Sequence, residues 1–192
     1  MDVFEAIKTR RSIRRYKHDP IDDKTLQTVL EAAHWAPSWG NNQCWRFVIV
    51  HDARIRSQIA DTLVKIKIDD EWVENAASDS IKEAPVLIVI CAVKSEAGCG
   101  PDGAAVTDKG NYWFMFDVAL AMQNLTLAAH ASGLGTVIIG AFDSVRVENI
   151  LGIPDGCTVV AMTPLGFPDI KGQVSPRKRL SDVIYTDTYG KK

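Results

Sequence analysis

No uninterrupted apolar stretch in this sequence exceeds ten residues, Ala84 to Val93, and Pro85 stands near its start. A helix needs about 20 apolar residues to cross a bilayer, so no membrane span is expected. Cysteine is sparse. Cys44, Cys91, Cys99 and Cys157 are scattered with no C-x-x-C pair, which argues against a disulfide framework and for a reducing compartment. The four histidines show neither H-E-x-x-H nor H-x-x-x-H spacing, so no metal site is expected. A G-x-x-x-x-G-K-[ST] loop and a G-x-S-x-G elbow are both missing, leaving a hydrolase poorly supported. Gly133, Gly135 and Gly140 form G-x-G-x-x-x-x-G after a helical pattern, which fails the dinucleotide fingerprint in spacing and in context. The N-terminus, MDVFEAIKTRRS, has no apolar h-region, so no secretory signal is read there and a cytoplasmic location is the expectation.

What is present is an ordinary globular composition with an unusual distribution of charge. The 192 residues are 46% apolar and 24% charged, which predicts one domain, 1–192, with a sizeable core. Formal net charge is only −2. Residues 1–17 nevertheless hold six bases against two acids, a net of +4, and residues 171–192 repeat that balance. The segment between them holds ten bases and 20 acids, a net of −10. Two basic ends on an acidic body call for a reason.

Periodicity predicts interleaved helices and strands. Asp2 caps a first helix and Asp22 or Asp23 a second, whose apolar stripe is Leu26, Val29, Leu30 and Ala33 and which stops at Pro37. Ser38 to Gln43 reads as a loop and Arg46 to His51 as a strand. Ile55, Ile59, Leu63 and Ile66 predict a third helix. Pro85 to Val93, apolar throughout, predicts a strand buried on both faces. Gly98 to Gly110 reads as a loop or lid. Asn111 to Ser132, free of Gly and Pro and apolar nearly all round, predicts a helix enclosed by protein and ended by Gly133. Val137 to Ile139 and Cys157 to Met162 are further strand candidates. The irregular alternation predicts an α+β fold, a central sheet sandwiched by helices, and not a regular βαβ winding.

Four segments carry candidate chemistry. In Thr9 to Tyr16 (TRRSIRRY), Arg10, Arg11, Ser12 and Arg14 can converge on one anion, because guanidinium forks suit phosphate and a serine hydroxyl adds a donor. The same cluster could face nucleic acid, but the acidic body and the lack of interleaved aromatics weigh against that. Ala36 to Phe47 (APSWGNNQCWRF) is dense in amides, which can read the polar edge of a heterocycle, and Trp39 could lie against a ring. In Gly133 to Asp143, Gly140 would let a ligand approach the backbone. Gly166-Phe167-Pro168 is followed by Arg177-Lys178-Arg179, the second basic cluster.

In this order, the four segments resemble the FMN-dependent nitroreductase family. The pattern R-[RH]-S-x-[RK] is matched by Arg10, Arg11, Ser12 and Arg14. P-S-x-x-N-x-Q-P-W is matched by Pro37, Ser38, Asn41, Gln43 and Trp45, with Cys44 in place of the usual Pro. Q-N-L-x-L-A-A-x-x-x-G-L-G is matched from Gln123 to Gly135, and the trailing Gly-Phe-Pro and R/K-x-R at Gly166 to Pro168 and Arg177 to Arg179.

The resemblance implies an antiparallel-sheet fold and an obligate homodimer with two FMN sites, each built from both chains. The helix from Asn111 to Ser132 would be the dimer's central helix. By position, Arg10, Ser12 and Arg179 would hold the FMN phosphate and ribityl tail, assisted by Arg11 and Arg177. Arg14 would lie near N1 and O2 of the ring, where positive charge tunes the flavin. Ser38, Trp39 and Asn41 would approach from the partner subunit, and the backbone at Ile139 and Gly140 would donate toward N5 and O4. Cys44 would loosen its turn. The implied activity is ping-pong transfer of hydride from NADH or NADPH, through FMN, to a small electron-poor acceptor such as a nitroaromatic or a quinone. Other members of the family are oxidases, dehalogenases or flavin-modifying enzymes. Neither nucleic acid nor a membrane is an expected partner.

Overall fold

The computed structural model describes every residue except Pro101, and the backbone alone at Asn111. In chain order the elements are α1 (Val3–Thr9), α2 (Asp23–His34), β1 (Trp45–Val50), α3 (Ala53–Ala60), β2 (Ile66–Ile68), β3 (Glu71–Val73), α4 (Ala77–Glu83), β4 (Val86–Val93), α5 (Trp113–Ala131), β5 (Gly135–Thr136), α6 (Ser144–Leu151) and β6 (Cys157–Gly166). Four helices start on an aspartate. Asp2, Asp22, Asp52 and Asp143 each accept a hydrogen bond from a backbone N–H of the following first turn. Those N–H groups have no partner within the helix, so the cap replaces lost water.

The main sheet runs β1-β4-β6-β5 and every pairing in it is antiparallel. β4 lies inside it, and its alternation assigns the two cores. Val86, Ile88, Ile90 and Ala92 face Val29 of α2 and Val118, Ala121 and Leu125 of α5. Leu87, Val89 and Cys91 face Ile59 of α3, Ile81 of α4 and Val147 of α6. This is why the run is apolar on every residue: a strand covered on both faces has no polar side. The register slips between Ile90 and Cys91, where β6 carries the extra residue Val160. The α+β fold with helices on both faces is as the sequence predicted. Among the described residues, no helix is long and apolar enough to cross a membrane.

Three elements depart from expectation. The third helix stops at Ala60, short of the predicted Leu63 and Ile66. The Thr62 hydroxyl donates to the Ile59 carbonyl, and the chain then pairs with a distant segment, Asp143 N–H to Thr62 O at 2.9 Å and Val64 N–H to Ala141 O at 3.1 Å. Ile66 instead enters a hairpin, β2–β3, that the helical spacing concealed. Tertiary pairing overrides local period here. The strand expected at Val137–Ile139 is split. β5 covers only Gly135 and Thr136, and Ile139 pairs separately with Met162. Within the Gly98–Gly110 segment, irregular as expected, Pro101 lies outside the described residues.

Candidate functional site

The basic N-terminal segment is pinned to the sheet edge. Ser12 bridges Thr136 of β5 in parallel, and the Ile13 N–H donates to the Thr136 carbonyl at 2.9 Å. Tyr16 bridges Pro168, Lys17 N–H donates to Phe167 O at 2.9 Å, and Asp169 N–H donates to Arg15 O at 3.1 Å. The edge of a sheet offers unpaired donors and acceptors, and residues 12–17 satisfy them. Buried Tyr16 closes the turn, its hydroxyl donating to Ile13 O at 2.6 Å. The chain leaving β6 therefore runs back past Arg10 to Arg14.

Between these segments lies a cleft of about 730 Å³, lined by Arg10, Arg11, Ser12 and Arg14 from one end of the chain and by Lys171, Gln173, Ser175 and Arg177 from the other. Six of its thirteen lining residues are Lys or Arg and none is acidic, so its complement is an anion. Burial lowers the pKa of Arg10, and the charges of Arg11 and Arg177 lower it further. The second effect registers cations gathered side by side. Arg11 is held differently from its neighbours. Its Nη1 donates to the carbonyls of Lys8 and Arg10 at 2.7 Å each, and its buried Nε has no partner among the described residues. Arg179 is not brought to the cleft walls. Its guanidinium faces solvent and pairs with Asp182 at 3.4 Å.

His130, in the last turn of α5, was not singled out by any motif. The Thr9 hydroxyl donates to Glu5 O at 2.6 Å, so it accepts from His130 Nε2 at 2.8 Å, which assigns the ring proton to Nε2. Burial, then the charges of Arg10 and Arg11, lowers the His130 pKa. Gln173 and Ser175 were also missed. Polar residues in a loop of irregular spacing carry no sequence signal for the wall they form.

The amide loop occupies a different place. Ser38, Trp39 and Asn41 do not line the basic cleft. Gly40, Asn41 and Gln43 all have left-handed backbone, with φ of 53°, 59° and 52°. For the two residues that carry side chains this conformation is costly and needs outside support. Ser38 Oγ accepts the Gln43 N–H at 2.9 Å, and Asn42 Nδ2 donates to Glu96 O at 2.9 Å. The Trp39 N–H reaches Asp117 of α5, 3.2 and 3.1 Å from its two carboxylate oxygens. Cys44, which stands where the family's usual Pro was expected, follows this turn. It is fully buried, its Sγ lies 3.8 Å from Asp117 Oδ2, and burial followed by the Asp117 charge pushes its thiol up to about 12.

One detail of the Ile139–Gly140 expectation is corrected. The Ile139 N–H is already occupied, donating to Met162 O at 2.9 Å. Gly140 is exposed, its N–H has no partner among the described residues, and a Cβ built there would find nothing within 4 Å. The free donor and the open space in this segment belong to Gly140.

Comparison with known proteins identifies the family of the chain. The sequence profile of the nitroreductase family matches residues 7–167. A 5,6-dimethylbenzimidazole synthase of Rhodospirillum rubrum is 32% identical over 190 residues, 93% of this chain and 88% of its own. Of solved structures, a nitroreductase family protein of Clostridium novyi is similar at a TM-score of 0.75 and 31% identity, over 100% of this chain and 96% of its own. The NADPH:FMN oxidoreductase of Vibrio harveyi, complexed with NAD+, is similar at a TM-score of 0.82 and 27% identity, over 99% of this chain and 79% of its own. This chain thus belongs to the nitroreductase family and is a flavin-dependent oxidoreductase.

Proposed function

We propose that residues 1–192 form one FMN-binding domain of a cytoplasmic reductase that uses NADH or NADPH to reduce quinones, nitroaromatics or similar electron-poor acceptors. The observation that carries this reading is the acid-free basic cleft joining Arg10, Ser12 and Arg14 to Arg177. The residues fit the group: the cations suit a phosphate dianion, the orphaned Arg11 Nε is a buried donor awaiting an acceptor, and Gly140 leaves space with a free N–H. FMN, when bound, supplies the hydride chemistry at its N5, first with the nicotinamide and then with the acceptor.

The chain's own groups bind and orient. Arg10, Ser12 and Arg177 hold the phosphate and ribityl tail, with Arg179 joining from the C-terminal arm and Arg11 bracing the turn. Arg14 supplies positive charge to the N1 and O2 edge of the ring. The Gly140 N–H donates toward N5 and O4, and the Ile139–Met162 pairing holds that backbone still. Ser38, Trp39 and Asn41 complete the ring site from a partner subunit. No protein acid, base or nucleophile is required.

A homodimer is supported by apolar surface that one chain leaves uncovered. Val3, Phe4 and Ile7 on α1 and Met115 and Phe116 on α5 are each about half exposed or more. The separation of amide loop and basic cleft within one chain is accounted for if each site draws on two chains. Four free thiols support a reducing location.

The test is spectroscopic. Purified protein should be yellow and dimeric by sedimentation, and either nicotinamide should bleach its flavin band without oxygen. A colourless protein that cannot be reconstituted with FMN would refute the reading. The 32% identity to the dimethylbenzimidazole synthase favours flavin modification as the second reading. Reoxidation separates the two: a reductase returns its FMN intact after each cycle with a quinone, whereas a flavin-modifying enzyme loses it in oxygen.

A further inference from the structure

Asp117 is the only acidic side chain in the buried interior among the described residues, and nothing in the reading above uses it. Burying a carboxylate is costly unless it is well paired. No cation lies within ion-pair distance of it among the described residues. Its neighbours are the Trp39 N–H, shared by both oxygens, and the Cys44 thiol, and these are donors, so the pocket suits a carboxylate that accepts. One turn earlier on the same face of α5, Trp113 stands edge-on to the Trp39 ring, with centroids 5.0 Å apart and planes at 71°. Trp113 then meets half-exposed Phe116 at 5.4 Å. Gly98 lies so close that a Cβ there would fall 2.7 Å from Trp113 Cβ, which joins the Gly98–Gly110 segment to the same cluster.

A left-handed loop held from beneath by a buried carboxylate, whose pKa burial raises and the Trp39 N–H lowers, is a loop whose shape matters. We propose that Asp117 is a positioning residue for the ring side of the cofactor site: by gripping Trp39 it orients Ser38, Trp39 and Asn41, and so sets the fit of the electron acceptor. The inference rests on the reading that the amide loop faces the flavin ring. Its grip is separate from the phosphate clamp, because the cleft lining includes neither Asp117 nor any residue of the amide loop.

The experiment compares the FMN-loaded parent with Asp117→Asn, which keeps the size and shape of the side chain but removes the charge. The expected result is a KM for 1,4-benzoquinone and for 4-nitrobenzoate raised about tenfold, the scale of losing a hydrogen bond to a charged group. The visible circular dichroism of bound FMN should change, while the ratio of FMN to riboflavin affinity, which reads the phosphate clamp alone, stays within about threefold. A KM and a dichroism spectrum like the parent's would overturn the proposal, and so would a fall in that ratio, which would mean general loosening. Should Asp117→Asn fail to fold, amide hydrogen exchange in the parent decides. The Trp39 N–H should exchange far more slowly than that of exposed Gly40, and equal rates would overturn the grip. A parent that retains no FMN refutes the flavin reading, and this inference with it, a result distinct from any change confined to the variant.

Discussion

Gly172 lies directly against the side-chain stem of Arg11. A Cβ built on it would overlap Arg11 Cβ and stand 3.1 Å from both Arg11 Cγ and Ile13 Cδ1. Two residues 161 positions apart in sequence are thus in van der Waals contact, and this contact closes one wall of the basic cleft. Only a residue without a side chain lets the returning chain pass so near.

That contact separates two kinds of glycine. Gly172→Ala should push the two segments of the cleft wall apart and destabilise the protein by about 1–3 kcal/mol, as overpacking does. Gly140→Ala should leave stability within about 0.5 kcal/mol, because its Cβ has open space, yet weaken FMN binding about tenfold by filling the ring's approach. Thermal unfolding of the flavin-free protein together with an FMN titration checks both. The reverse pattern would exchange their roles.

Of the cationic lining, Arg10 and Arg177 should matter chiefly for the phosphate. Arg10→Ala and Arg177→Ala should each weaken FMN binding about tenfold or more while leaving riboflavin binding nearly unchanged. Arg179→Ala should cost less, since Asp182 competes for its guanidinium. Lys191→Ala and Lys192→Ala should cost nothing, their ammonium groups lying 3.4 Å from Asp187 and 3.9 Å from Asp182 on the surface. Fluorescence titration with both flavins, repeated at several salt concentrations, measures each effect.

In the β2–β3 hairpin the two turn residues are Asp69 and Asp70, both left-handed, with φ of 47° and 68°. A two-residue turn of this kind prefers Asn-Gly. Replacing the pair by Asn-Gly should stabilise the hairpin by about 0.5–1 kcal/mol. A rise in the denaturant midpoint without a change of slope is the expected result.

His130 gives the stability of the fold a pH dependence of known sign. Its pKa in the folded chain is lowered, so the unfolded chain binds its proton more readily. Stability from this group is fully present above the ordinary histidine pKa of about 6.5 and is lost as pH falls from there toward the lowered value. Below that value the loss levels off. Melting curves from pH 8 to 5 should show the parent losing more than His130→Gln. Identical profiles would remove His130 from the account.

Thiol chemistry should divide the cysteines in two. Cys44 and Cys91 are fully buried, and desolvation pushes both thiols up to about 12. A thiolate is the reactive form, so neither should react with a disulfide reagent while the protein is folded. Half-buried Cys99 and Cys157 should react, with Cys157 the slower because burial raises its pKa as well. Thiol counting before and after unfolding gives the partition.

The sequence by itself determined whatever depends on neighbours along the chain. Aspartate caps, the stripe of α2, the two-faced burial of β4 and the apolar girth of α5 were legible because a cap is one turn long and periodicity repeats within ten residues. The ordered motifs around Arg10, Ser38, Gly133 and Arg177 were legible too, and they led to the family. Tertiary structure decided what depends on residues far apart. The third helix ended at Ala60 because Thr62 and Val64 found partners at Asp143 and Ala141. Ile139 gave up its N–H to Met162, leaving Gly140 as the free donor. Asp117 carried no sequence signal of its own, and the fold set it beneath the Trp39 N–H. Six bases from the two ends, Lys8, Arg10, Arg11, Arg14, Lys171 and Arg177, came to line one cleft because the sheet edge at Thr136 and Phe167 needed a partner and residues 12–17 supplied it. Backbone groups at a sheet edge must be satisfied somewhere, and only the folded chain decides by what.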